Sequence, residues 1–245
     1  MAGGRACSRN DEAGSTSRLA FSGIVPANGR TGAGPLTPRT LAPLVLLALG
    51  GTAGSYMLRT SQSIGRYVEN SPAATRVLAD STSQEARHGA TDLTVVAFTD
   101  FRCPVCRKAD PAMRRAVTRE GNVRLLYKDW PTFGAQSVRA AKVALAADRQ
   151  EIYPSVHHAL MRMEVDEESM RHAVEQAGRS WRQVEADLVR HRPMIARQLD
   201  KNRLQAFALG LEGTPAYLIG HFLAEGGLSE REFRRAFVQA RAKSH

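Results

Sequence analysis

The chain has 245 residues, 43% of them hydrophobic and 24% charged, a balance that excludes global disorder and fibrous repeats. Its formal charge is +10, from 34 lysines and arginines against 24 acidic residues. Charges of both signs nonetheless alternate along 162–203 and no arginine stripe is interleaved with aromatics, so no nucleic-acid partner is expected.

Residues 1–40 are rich in Gly, Ser, Thr, Pro and Ala, and carry five arginines against Asp11 and Glu12. With no apolar periodicity they read as a disordered basic segment. A translation start downstream of Met1 would make Cys7 irrelevant. The uncharged stretch from Thr40 to Leu58 follows, densest between Leu41 and Leu49. Residues 41–58 read as a signal peptide or a membrane anchor. The basic flank, short apolar centre and Gly51-Thr52-Ala53 suit a cleaved signal, while the length is just enough for an anchor. A buried soluble helix is opposed by Pro43, Gly50, Gly51 and Gly54. Either of the first two readings exports the rest of the chain.

Residues 59–92 read as a polar helical lead-in, with one or two turns around Tyr67, Val68, Val77 and Leu78 interrupted at Pro72. Leu93–Phe98 is a β-branched, apolar run and reads as a buried strand. It leads through Asp100 into Cys103-Pro104-Val105-Cys106. A helix is expected from there to about Glu120, stopped by Gly121-Asn122 and kinked at Pro111. Val123–Tyr127 is a second strand. Helical spacing then dominates to Leu209, with stops at Gly178 and Gly210 and a Ser180-x-x-Gln183 capping box. Strands return at Ala216–Ile219 and Phe222–Ala224, and a last helix is capped by Ser229-x-x-Glu232. The order defines an α/β layout with a helical insertion.

Three cysteines are too few for a disulfide-stapled scaffold, and the Cys-x-x-Cys spacing of two of them points to functional sulfur chemistry. A thiolate is the attacking species in disulfide exchange, so a redox cysteine needs its ionised form favoured. The amino-terminus of a helix supplies about half a positive charge and free N–H groups. Cys103 falls there with its sulfur expected to be exposed, and Pro104 suits the first helical position. Cys106, one turn on, would be shielded and placed to attack a mixed disulfide on Cys103. Arg102, Arg107 and Lys108 add positive charge. Zinc would need four ligands, and no second pair with suitable spacing exists. A purely structural disulfide across so short a loop would constrain little. Some 110 residues later, Gly213-Thr214-Pro215-Ala216 places a proline at a strand entrance, where a cis bond is a deliberate feature.

These motifs resemble the DsbA-like branch of the thioredoxin superfamily over roughly Leu93–Ala240. The landmarks are Phe98 to Lys108, Pro111, Trp130-Pro131, Phe133-Gly134, His158-x-Leu160 and Leu209 to Ala216. The resemblance implies a thioredoxin fold over 93–242, with an inserted helical domain between the second and third core strands at about 134–210. It implies that Cys103 is the nucleophile, Cys106 the resolving cysteine and Pro215 a cis proline packed against them. Pro104, Val105, Thr214 and Pro215 would then form the substrate-binding surface, with Thr214 offering backbone groups to an extended chain. Such proteins act on cysteines of exported proteins in the periplasm and are recycled by a membrane redox partner; no cofactor and no metal is expected. Several relatives carry an acid on the strand six residues before the first cysteine, where this chain has Ala97. Asp100 and Lys128 are the ionisable groups left as a proton relay, Asp100 serving otherwise to orient its loop. His157-His158 could pack, face solvent or reach the groove. Run backwards, the same residues make a reductase or isomerase. A different class, a chaperone or copper(I)-holding module, would use the dithiol without turnover.

Overall fold

Leu93–Thr99 (β3) and Val123–Asp129 (β4) pair in parallel at the centre of the sheet, joined by the helix Pro104–Glu120 (α2). Both strands are buried along nearly their whole length, as strands covered on two sides are. The computed structural model describes residues 64–88 and 91–242, all within the compact unit Ser61–His245. The basic segment 1–40, the apolar run 41–58 and Cys7 lie outside the described residues. Among those described, no helix is long and apolar enough to cross a membrane.

Two further strands, Ala216–Ile219 (β5) and Phe222–Glu225 (β6), form a hairpin whose first strand pairs antiparallel with β3. Arg66–Tyr67 (β1) closes one edge against β6 and Gln84–His88 (β2) closes the other against β4. The sheet order is β1-β6-β5-β3-β4-β2. The lead-in therefore departs from the helical expectation for 59–92. It holds two strands and one helix, Pro72–Leu78 (α1), and Pro72 starts that helix rather than interrupting it. The Ser71 side chain caps it by accepting from the Ala74 N–H at 3.2 Å, and proline is favoured at a first helical position because its missing N–H is not needed there. The edge strand Gln-Glu-Ala-Arg-His is polar at four of its five positions, two of them charged, and lacks the alternation that reveals a half-buried strand. Charge is what an exposed edge requires to resist pairing with other chains.

Between β4 and β5 lies the helical insertion: Ala135–Ala147 (α3), Tyr153–Leu160 (α4), Glu167–Gln176 (α5), Trp181–Arg190 (α6) and Arg192–Ala208 (α7). Gly178 and Gly210 end helices with φ of 74° and 73°, a left-handed conformation open to glycine at no steric penalty. Ser180 caps α6 by accepting from the Gln183 N–H at 3.4 Å, but the Gln183 side chain turns to Asp187, so only half of the expected box forms. The box at Glu230–Ala242 (α8) is complete: Glu232 accepts from the Ser229 N–H at 2.8 Å, and its own N–H donates to Ser229 Oγ at 3.3 Å.

Two cores form, one on each face of the sheet. Leu93, Val95 and Ala97 of β3 point with Leu125 and Tyr127 toward α2, α8 and the insertion, where Met113, Phe233 and Phe237 are buried. Val96, Phe98 and Leu126 point the other way, toward α1 and Ala206 of α7. Alternation along the strands assigns each side chain to its face.

Candidate active site

Cys103 is the N-cap of α2. Its φ of −68° and ψ of 116° are extended, Pro104 follows at the first helical position, and Gly121 closes the helix at φ 79°. The helix runs on through Pro111 as one continuous element. The Cys106 N–H donates to Cys103 Sγ at 3.3 Å, so the sulfur occupies the acceptor position of a capping side chain. The sulfur thus sits at the positive end of the helix dipole. The Cys103 thiol donates to the Thr214 carbonyl at 3.3 Å, and the Thr214–Pro215 peptide bond is cis. Both cysteines are free thiols. Cys103, Cys106, Thr214 and Pro215, separated by over a hundred residues, thus meet at one end of the sheet.

Cys103 is only 1% exposed, against the expectation of an open sulfur. Within the motif Pro104 and Val105 are exposed, Val105 by 46%. Val105 also packs where a Cβ on Gly227 would stand, 2.8 Å from its Cγ1, so glycine there permits the close approach of the β6–α8 loop. Burial pushes the Cys106 thiol far above its ordinary range, and its hydrogen-bonded neighbour Cys103 adds to the rise. Cys106 is therefore a protonated thiol at neutral pH.

Asp100 is 2% exposed and saturated. Its carboxylate accepts from the N–H groups of Arg102 (2.7 Å), Thr132 (2.6 Å) and Phe133 (2.9 Å), and from Ser137 Oγ (2.6 Å). It ties the turn before Cys103 to the start of the insertion. Lys128 follows Tyr127 on β4 and points to the opposite face of the sheet, where its Nζ pairs with Asp80 at 2.5 Å. That places it away from the dithiol, which sits with Tyr127 in the other core. Of the aromatic side chains, Trp130, Tyr217 and Phe233 are buried, while Phe133 and Phe207 are exposed.

The insertion also brings a buried polar group to the dithiol face that no local motif announces. Asp110 on α2 and His157 on α4 are both buried, with His157 Nε2 3.6 Å from Asp110 Oδ1. The Tyr153 hydroxyl is 3.2 Å from His157 Nδ1 and donates to Asp129 Oδ1 at 2.7 Å. Burial raises the Asp129 carboxyl to about 6, against the pull of His157 and Tyr153. The available signal was spacing alone: Asp110 four residues after Cys106, and His157 four after Tyr153, on helix faces turned inward. Among the described residues no group of three or more His, Cys, Asp or Glu side chains could hold a metal ion.

A thioredoxin family model matches residues 83–238, more than half of the 245. A thioredoxin-like oxidoreductase from Silicibacter pomeroyi DSS-3 superposes with a TM-score of 0.63 at 30% identity, covering 67% of this chain and 95% of that one. A periplasmic thioredoxin-like protein from Salmonella enterica serovar Typhimurium gives 0.59 at 26% identity, covering 73% and 100%. The fold is shared, with a TM-score of 0.63 at 24% identity over 67% and 90%, by the thiol-disulfide exchange protein alpha-DsbA2 from Wolbachia pipientis. A curated relative, the Na(+)/H(+) antiporter NhaA 1 of Salinispora arenicola (strain CNS-205), is 34% identical over 71 residues, which is 28% of this chain and only 11% of the antiporter. The chain belongs to the thioredoxin family.

Proposed function

We propose that the chain is exported and exchanges disulfides with cysteine pairs of cell-envelope proteins through Cys103 and Cys106. The carrying observation is Cys103 Sγ held as the cap of α2, 3.3 Å from the Cys106 N–H and 3.3 Å from the Thr214 carbonyl. In the oxidising direction a substrate thiolate attacks Cys103 Sγ of the enzyme disulfide, and Cys106 leaves. The substrate's second thiolate then attacks the mixed disulfide, releasing oxidised substrate and the enzyme dithiol. A membrane redox partner takes the two electrons onward. In the reducing direction the steps reverse.

Val105 offers exposed apolar surface beside the thiol, and Pro104, Val105, Thr214 and Pro215 form the substrate-binding edge. An extended substrate pairs with the Thr214 backbone in the manner of an added strand. Periplasmic residence is supported by the periplasmic thioredoxin-like relative and by the apolar run at 41–58, which serves as signal or membrane anchor. The test is Cys103→Ser in the full chain, assayed for oxidation or reduction of a dithiol peptide. Loss of turnover is expected; retained turnover contradicts the reading. Peptide held equally well by wild type and Cys103→Ser, with no turnover in either, favours a binding module instead.

A further inference from the structure

The strand position at which several relatives carry an acid is filled here by a methyl between two phenols. Ala97 lies in register with Tyr127 on one neighbouring strand and Tyr217 on the other. A carboxylate reaches this face from α2 instead. Asp110 follows Cys106 by four residues, and helix side chains so spaced lie on one face with Cβ atoms about 5–6 Å apart. Helical side chains also lean toward the amino-terminus, the direction of Cys106, and Tyr217 feels the charges of Cys106 and Asp110 together.

Asp110 is 2% exposed, and neither of its oxygens takes part in a hydrogen bond among the described residues. A fold gains no stability from a buried carboxylate left so. The groups facing it come from four elements. From α4, His157 Nε2 stands 3.6 Å from Oδ1 and His158 Nδ1 3.8 Å from Oδ2. Tyr127 on β4 and Tyr217 on β5 both feel its charge, and Tyr217 also feels those of Cys106 and Cys103. On α2 itself are the two cysteines and Arg114, which bonds to His158.

We propose that Asp110, steadied by His157, is the base that takes the proton of Cys106 when Cys106 resolves a mixed disulfide, and returns it in the reverse step. The assignment rests on the Cys103–Cys106 exchange proposed above. In the reducing direction the Cys106 S–H bond breaks and its proton passes to the Asp110 carboxylate. The new thiolate bonds to Cys103 Sγ as the bond from Cys103 to the substrate sulfur breaks. The substrate leaves as a thiolate and takes a proton from water, so its disulfide is reduced and the enzyme dithiol oxidised. Because burial holds Cys106 as a thiol at neutral pH, the step needs an acceptor close by.

The test is single-turnover reduction of a peptide disulfide by the full-length chain, acid-quenched so that mixed disulfide and product are counted separately. Asp110→Asn should form the mixed disulfide within about twofold of the wild-type rate yet resolve it at least about tenfold more slowly at pH 7, since a positioned base is commonly worth a hundredfold or more. Its resolving rate should then rise tenfold per pH unit with hydroxide, while wild type is flatter; Asp110→Glu should recover most of the rate. His157→Gln, a second variant in case the first does not fold, should slow resolution alone by about threefold or more. Resolution within about twofold of wild type in either folded variant, or both steps slowed together with an unchanged pH profile, overturns the assignment. A wild-type chain that forms no mixed disulfide at Cys103 overturns the exchange reading and this assignment with it.

Discussion

The two faces of the sheet each bury acidic side chains, and they treat them in opposite ways. On the face of α1 and α7, Asp80 accepts from Lys128 Nζ at 2.5 Å, Lys201 Nζ at 2.7 Å, Gln205 Nε2 at 2.9 Å and the N–H and hydroxyl of Thr82 at 2.9 and 2.8 Å. Burial alone would raise its carboxyl, but these donors hold it far below the usual range. Burial lowers its partner Lys128 to about 8 against the opposing pull of Asp80, so both stay charged at pH 7. On the dithiol face, among the described residues, Asp110 has no hydrogen bond and one oxygen of Asp129 has none. A saturated carboxylate holds structure together; one left with an imidazole at 3.6 Å can exchange a proton. Lys128 and Asp110 look alike as buried ionisable residues, and only their partners separate a structural role from a chemical one.

The largest effect should come from breaking the saturated face. Asp80→Asn leaves the fully buried Lys128 without its counter-ion, which should cost about 3–5 kcal/mol of unfolding free energy in urea titration. Turnover per folded molecule should stay unchanged, and adding Lys128→Met should recover most of the loss. An equally large loss of turnover in Asp80→Asn would erase the distinction between the faces.

The dithiol face should respond with the opposite sign. The Asp129 carboxyl titrates near 6 when folded and near 3.8 when unfolded, so between those values the native state binds more protons than the unfolded chain. Its contribution to stability is thus complete below about 3.8 and lost as pH rises toward 6. Asp129→Asn should remove that slope and raise stability at pH 7 by up to about 2–3 kcal/mol, at 1.36 kcal/mol per pKa unit; parallel urea titrations at pH 4 and pH 7 would check it. The smallest effect belongs to Lys201→Met. Its ammonium is 41% exposed and is one of several Asp80 partners, so thermal unfolding should register a loss of less than about 1 kcal/mol.

Much of this was legible in the sequence because it is local. The apolar runs at Leu93 and Val123, the proline after Cys103, and Gly121, Gly178 and Gly210 each state their structure within a few residues. What was not legible is what distant segments do to one another. The Thr214 carbonyl masks Cys103, an edge strand hides in a charged stretch at Gln84–His88, and His157 reaches Asp110 only because the insertion folds back over α2. The Asp80 partner of Lys128 lies in a lead-in whose strands carry no apolar signal.

The central claim is that Cys103 and Cys106 form one redox couple. The most direct measurement equilibrates the full chain with glutathione mixtures, counts free thiols at each poise and maps the bond by peptide mass spectrometry. The account predicts a single two-electron transition in which a Cys103–Cys106 disulfide replaces the two free thiols. A midpoint near about −120 mV would mark a donor of disulfides and one near about −270 mV a reductase. No transition across the whole glutathione range, or a disulfide that excludes Cys103, would contradict the claim.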